Sequence, residues 1–202
     1  MSTPVGPLGE TPSLSWDHLK QNQTEASLAA LDEETAGLIT QITVAFQGVR
    51  RGNGISLHET KVLDDYGDDS ARQEAREQDT DTQWWEIPDE VMHHHHFYLT
   101  YLDAEGLRYY LPAWMIHALK HFHDPPDGRT TTLGDTLAVL THSDRPDLAE
   151  WQKKKWTLLM TEQAQVICLY LRYVANHHRD KFMVRDAVKG LDQHWGQFCG
   201  SA

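Results

Sequence analysis

The sequence predicts an α+β fold, helix-dominated, in a single domain with one small antiparallel β-hairpin at about residues 97–111. Three observations lead there. Apolar residues recur at helical spacing through most of the chain, as in Leu38, Ile42, Ala45 and Phe46 or Val166, Ile167, Tyr170, Leu171 and Val174. Phe97–Leu102 and Leu107–Leu111 read instead as short aromatic-rich strands. Between them Asp103-Ala104-Glu105-Gly106 reads as a turn, with Gly106 free to take positive φ.

Each element has its own signal. Residues 1–14 hold three Pro and two Gly, too little apolar surface to offset ordering entropy, and are expected to be a flexible lead-in. Residues 15–202 are expected to form the domain. Ser15–Leu31 is a weak helix anchored by Trp16 and Leu19. A stronger helix spans Asp32–Gly48, with acids at its positive N-terminal end and Gly48 closing it. Ser56 and Glu59 make a capping box for a helix that Gly67 ends. Asp69 to about Glu77 reads as a solvated helix. Pro88 opens a short helix reaching about His94. Pro112, whose missing N–H costs nothing at a first helical position, opens the next. That helix is expected to face Trp114, Met115, Ala118, Leu119 and Phe122 inward and His117, Lys120 and His121 outward.

Asp124–Gly128 is a break. Thr130–Thr141 is compatible with strand or helix. Asp147–Met160 reads as a helix with Leu148, Trp151 and Leu159 on one side and Lys153, Lys154 and Lys155 in water. Thr161 is a good N-cap for the most buried helix. A last helix spans about Asp180–Phe198.

Bulk properties exclude several functions. With 202 residues, 40% hydrophobic content and seven Trp, the chain can bury a sizeable core. A net charge of −12 argues against general nucleic-acid or anionic-membrane binding, since both need a positive field. No apolar run reaches the ~20 residues of a membrane span. No basic region followed by an apolar one marks a signal peptide. Cys168 and Cys199 form no disulfide framework and read as reduced thiols, so a cytoplasmic location is expected.

The residues offer four candidate chemistries. His117 and His121 stand at i, i+4, a spacing that chelates one divalent ion, with a third ligand to come from His93–His96, His123 or Asp103. The glutamate of a HEXXH motif is missing, because Ala118 follows His117. The run His93–His96 also binds metal adventitiously. Twelve acids fall between Glu59 and Glu90, opposed by Lys61, Arg72 and Arg76. They read first as a solvated face and second as a docking surface for a basic partner. Neither cysteine has a pKa-lowering context, and no G-x-S-x-G elbow, P-loop or calcium loop is present. The aromatics from Trp84 to Trp114 read mainly as core, with exposed Tyr and Trp beside the acids as the composition of an interface.

One stretch also carries a resemblance. An Ala45-Phe46 helix end, Leu57 and Glu59, Asp64 and Tyr66, the Arg76–Asp79 pair, Trp85 and Tyr101-Leu-Asp-Ala-Glu-Gly-Leu-Arg-Tyr-Tyr-Leu-Pro-Ala-Trp114 resemble a bacterial family of unknown function, DUF6714. Thr161-Glu162-Gln163 with Leu171 and Tyr173 extends it over about residues 35–195. The resemblance implies no activity, since it transfers no catalytic residue.

The expected function is therefore a non-enzymatic binding or adaptor protein. It presents Asp64, Asp65, Asp68, Asp69, Asp79, Trp84, Trp85, Tyr98 and Tyr109 to a protein partner, with no nucleic acid and no membrane. By analogy with small acidic immunity proteins, a basic toxin is one such partner. The alternative is a metal-dependent enzyme using His117 and His121 and a divalent ion. A third reading is a homo-oligomer pairing through the exposed hairpin edge.

Overall fold

A computed structural model describes residues 33–94, 96–123 and 132–200, apart from the side chains of 93–98. The expected flexible lead-in of residues 1–14, the helix expected over Ser15–Leu31 and the break at Asp124–Gly128 lie outside the described residues. The chain divides into two compact units, Met1–Ala36 and Gly37–Ala202. Of the first, the described residues 33–36 are helical.

Helix α1 runs over 33–45. From Gly37 onward its buried stripe is Leu38, Ile42 and Phe46, the spacing expected of an amphipathic helix. Gly48 ends it at φ +75, a conformation that costs glycine little. Helix α2 (Leu57–Asp64) starts at the expected capping box, where the Ser56 N–H donates to Glu59 Oε2 at 2.8 Å. Helix α3 (Asp69–Arg76) is capped by Asp68, which accepts from the Ala71 N–H at 2.9 Å. A 3-10 turn at Trp84–Glu86 and helix α4 (Asp89–His94) follow.

The predicted hairpin is not there. Among the described residues there is no β-strand, so the fold is all-α rather than α+β. His96–Tyr101 is a 3-10 turn, and residues 104–120 form one helix, α5 (Ala104–Lys120). The cause lies in Asp103. Its carboxylate accepts the Gly106 N–H at 2.8 Å, so Asp-Ala-Glu-Gly is a helix N-cap and first turn instead of a β-turn. Leu107, Tyr110, Leu111 and Trp114 then fall at helical spacing and are all buried. Pro112 sits inside the helix and removes one internal hydrogen bond. Packing of the apolar faces of α5 outweighs that loss. The exposed hairpin edge proposed for self-association goes with the hairpin.

Gly106 serves close approach rather than positive φ. A Cβ there would lie 2.5 Å from the Ile55 carbonyl oxygen. The loop between α1 and α2 is thus pressed on the start of α5. The Ile55 N–H donates to Asp103 Oδ1 at 3.0 Å, and the Asn53 N–H to Glu105 Oε2 at 3.1 Å.

Thr132–Leu140 resolves to helix α6. Helices α7 (Pro146–Lys154), α8 (Thr161–His177) and α9 (Lys181–Gln193) complete the chain, with a 3-10 turn at Trp195–Phe198. Helix α7 ends at Lys154, short of the expected Met160; Leu148 and Trp151, expected to anchor it, are exposed, while Ala149 within it and Trp156 in the turn after it are buried. Helix α5 packs on α6, α6 on α9, and α8 on α9.

Three of the four buried tryptophans among the described residues, Trp84, Trp156 and Trp195, donate to carbonyls at or just past helix ends. Trp84 Nε1 donates to the Phe46 carbonyl at 3.0 Å, Trp156 Nε1 to Val139 at 3.0 Å and Trp195 Nε1 to Leu140 at 2.7 Å. The Val139 and Leu140 carbonyls end α6 and have no partner within it, whereas the Phe46 carbonyl, just past α1, also accepts the Val49 N–H at 3.2 Å. Each indole therefore supplies apolar surface and satisfies a backbone group at once.

Cys168, in α8, and Cys199 are joined by a disulfide, with Cα atoms 5.5 Å apart. This corrects the expectation of two reduced thiols. The α8–α9 hairpin and the turn after it bring together residues separated by 31 positions. No described helix is long and apolar enough to cross a membrane.

Candidate functional site

Two acids of the acid-rich stretch, Glu59 and Asp79, turn inward, and Asp81 is half-buried. Glu59 is only 5% exposed. Arg76 Nη1 lies 2.7 Å from Glu59 Oε2, and Arg72 Nη2 lies 3.6 Å from Glu59 Oε1. The same Arg76 guanidinium donates to the carbonyls of Gly54 at 2.7 Å and Gly52 at 2.8 Å. A planar fork of donors is suited to holding a carboxylate and a loop together. Arg76 thus pairs with Glu59 rather than with Asp79, and Arg72 with Glu59 and Asp69.

Asp79 is buried. It accepts the His58 N–H at 2.9 Å and stands 2.7 Å from His58 Nδ1. Arg51 donates to the Asp79 carbonyl at 2.9 Å and to the Tyr110 hydroxyl at 2.7 Å, and lies 3.6 Å from Asp81. The Tyr109 hydroxyl donates to Asp81 Oδ2 at 2.7 Å. Burial first, and then the Asp81 bond, push the Tyr109 phenol well above its ordinary range, so it stays a neutral donor. This hub fixes α2, α3 and the loop before α2 against α5.

The expected partner surface is consequently divided. Asp79, Trp84 and Tyr109 are buried in the hub or core. The Tyr98 side chain lies outside the described residues. Asp64, Asp65, Asp68, Asp69 and Trp85 are exposed. Of these, Asp64 accepts from the Tyr101 hydroxyl, Asp68 caps α3 and Asp69 pairs with Arg72 at 3.6 Å. Sequence reasoning passed over Tyr66 as a contact. It is 96% exposed and holds φ 56, which is uncommon for a side chain of its size.

A second cluster lies on the other half of α5. His117 and His121 share one face of that helix, with ring centroids 4.4 Å apart and planes tilted by 36°. Asp89, in the first turn of α4, meets them there; one ligand atom from each of the three residues lies within 4.8 Å of the others. His117 is buried, His121 half-buried and Asp89 exposed. The expectation that His117 points to solvent is thus corrected.

The third residue is also not the one expected. Asp103 caps the opposite end of α5, His123 is exposed and outside the cluster, and the side chains of His93–His96 lie outside the described residues. Only the packing of α4 on α5 selects Asp89.

Two imidazoles and one carboxylate form a donor set suited to zinc or iron(II), with coordination positions left for solvent or substrate. Such an ion places its donors roughly 3–3.5 Å apart. Asp89 is the exposed member of the three, and His117 the buried one.

Fold and clusters together define an all-helical domain with a rigid polar hub and a histidine–carboxylate corner. The family of unknown function DUF6714 matches residues 34–198, and the chain belongs to it. No curated protein and no solved structure matches the chain.

Proposed function

We propose that this protein binds one divalent transition-metal ion through Asp89, His117 and His121 and uses it to activate water for hydrolysis. The convergence of these three groups from two helices carries the reading. Buried His117 supplies a fixed anchor, and exposed Asp89 leaves the outer side of the ion open. A divalent ion held by three protein ligands lowers the pKa of bound water toward neutrality, which is the chemistry such an arrangement supplies.

The test is zinc titration by calorimetry on the full chain with His93–His96 replaced by serine. One ion per chain is expected, weakened at least tenfold by His121→Ala and abolished by His117→Ala. Circular dichroism checks that both variants fold. Unchanged binding in His121→Ala, or loss of all binding when the four-histidine run is replaced, contradicts the reading.

A second reading keeps the protein partner. Tyr66 is almost fully exposed and stands among exposed Asp64, Asp65, Asp68 and Asp69, with Trp85 also 53% exposed. An exposed aromatic within a negative rim suits a basic protein surface, where the charges chiefly speed association and set specificity. The immunity-like version rests on analogy. Tyr66→Ala, together with Asp65→Lys and Glu74→Lys, is expected to release a captured partner as salt does; a partner held equally by wild type and variant removes this face from consideration.

A further inference from the structure

Three consecutive lysines end α7, and they are treated unequally. Lys153 and Lys154 are exposed, whereas Lys155 is 7% exposed. The expectation that all three lie in water fails at Lys155. Its backbone caps α7, donating to the Gln152 carbonyl at 3.0 Å. Its side chain turns inward. Lys155 Nζ donates to the Thr100 carbonyl and stands 3.6 Å from the centroid of the Trp151 ring.

Burying an ammonium is costly without a carboxylate in contact. The opposing charge felt here is Asp103, whose Oδ1 already accepts the N–H groups of Gly106 and Ile55. Burial outweighs Asp103 and lowers Lys155 to about 8. A sizeable share of this amine is therefore neutral near physiological pH, unlike an ordinary lysine.

The same side chain borders a cavity of about 280 Å³. Ile55, Tyr101, Leu102, Asp103, Trp151 and Lys155 are among its walls. That volume is at the small end of ligand pockets. The lining is largely apolar, with the Trp151 indole as an aromatic wall and the Lys155 amine at its edge.

We propose that Lys155 is a nucleophilic amine that condenses with a small aromatic aldehyde held in this cavity. The Nζ lone pair attacks the carbonyl carbon, and the C=O π pair moves to oxygen. Proton transfer from nitrogen to oxygen gives a carbinolamine. Solvent delivers a second proton to that oxygen, which leaves as water as the nitrogen lone pair forms the C=N bond, and the resulting iminium returns its N–H proton to solvent to give the imine. One amine and one aldehyde give one imine and one water, with no change in oxidation state. The site lies on α7 and the start of α5, and does not depend on the metal reading.

The test uses the folded full chain, benzaldehyde and cyanoborohydride, which reduces the imine to a stable amine. Peptide mapping reads the label at every lysine over time. Lys155 is expected to be labelled at least tenfold faster than its neighbours Lys153 and Lys154, and the preference should vanish in denaturant. Lys153 and Lys154 are internal controls, so no variant has to fold. Lys155 labelled at the same rate as its neighbours, or more slowly, overturns the proposal.

Discussion

Glu59 and Asp89 both sit in the first turn of a short helix, and the fold puts them to opposite uses. Glu59 meets two arginines from α3 and a backbone N–H, and is buried. Asp89 meets two imidazoles from α5 and remains exposed. Both benefit from the positive end of a helix. What separates them is the partner the neighbouring helix delivers. Cations consume a carboxylate's charge in holding the fold, whereas two imidazoles and a carboxylate make a ligand set. A count of acids along the chain does not distinguish the two.

The contrast is sharpest in stability. Glu59→Ala is expected to cost about 3–5 kcal/mol, because it leaves the Arg76 guanidinium half-buried beside the loop it organises. Asp89→Ala, at an exposed position, is expected to cost no more than about 0.5 kcal/mol. Urea unfolding of both variants checks this. Equal losses would mean that Asp89 is structural too, and would weaken its assignment as a ligand.

Asp135 offers a third case, a carboxylate on α6 that burial pushes up to about 7. Its folded pKa lies above the ordinary value, so its contribution to stability is complete below about pH 4 and is lost as pH rises through 7. Asp135→Asn removes that loss. The variant is expected to match wild type near pH 4 and to exceed it at pH 8 by about 1–2 kcal/mol, after a discount for solvent screening, or roughly 2–6 °C in Tm. Thermal melts at the two pH values decide it; a difference independent of pH would contradict the burial argument.

The smallest effect is expected on the outer acidic face. Asp65→Lys with Glu74→Lys replaces two exposed side chains outside the hub, and Asp65 caps α2 only through its backbone N–H, so stability should change by less than about 0.5 kcal/mol. A larger loss in urea unfolding would show that this face belongs to the fold.

Much of the helical order was legible because it is local. The stripe Leu38, Ile42 and Phe46, the Ser56–Glu59 capping box and the α8 stripe all lie within a few turns of chain. The hairpin was misread where one local pattern serves two structures: Asp103-Ala-Glu-Gly106 suits a β-turn and a helix N-cap alike. Thr130–Thr141 was undecidable because a short apolar run fits either state. The i, i+4 spacing of His117 and His121 was visible in the sequence. Asp89 was not, since only tertiary packing selects it from twelve nearby acids. Likewise, nothing local shows that Arg51 and Arg76 draw Asp79, Asp81 and Glu59 inward, or that α9 returns Cys199 to Cys168.

The most direct test of the metal corner is X-ray absorption at the zinc edge, on protein loaded with one equivalent after His93–His96 are replaced by serine. Two imidazoles and one carboxylate are expected around the ion, with solvent completing the shell, and one imidazole is expected to be lost in His121→Ala. A shell of oxygen alone, or one unchanged by His121→Ala, would contradict it.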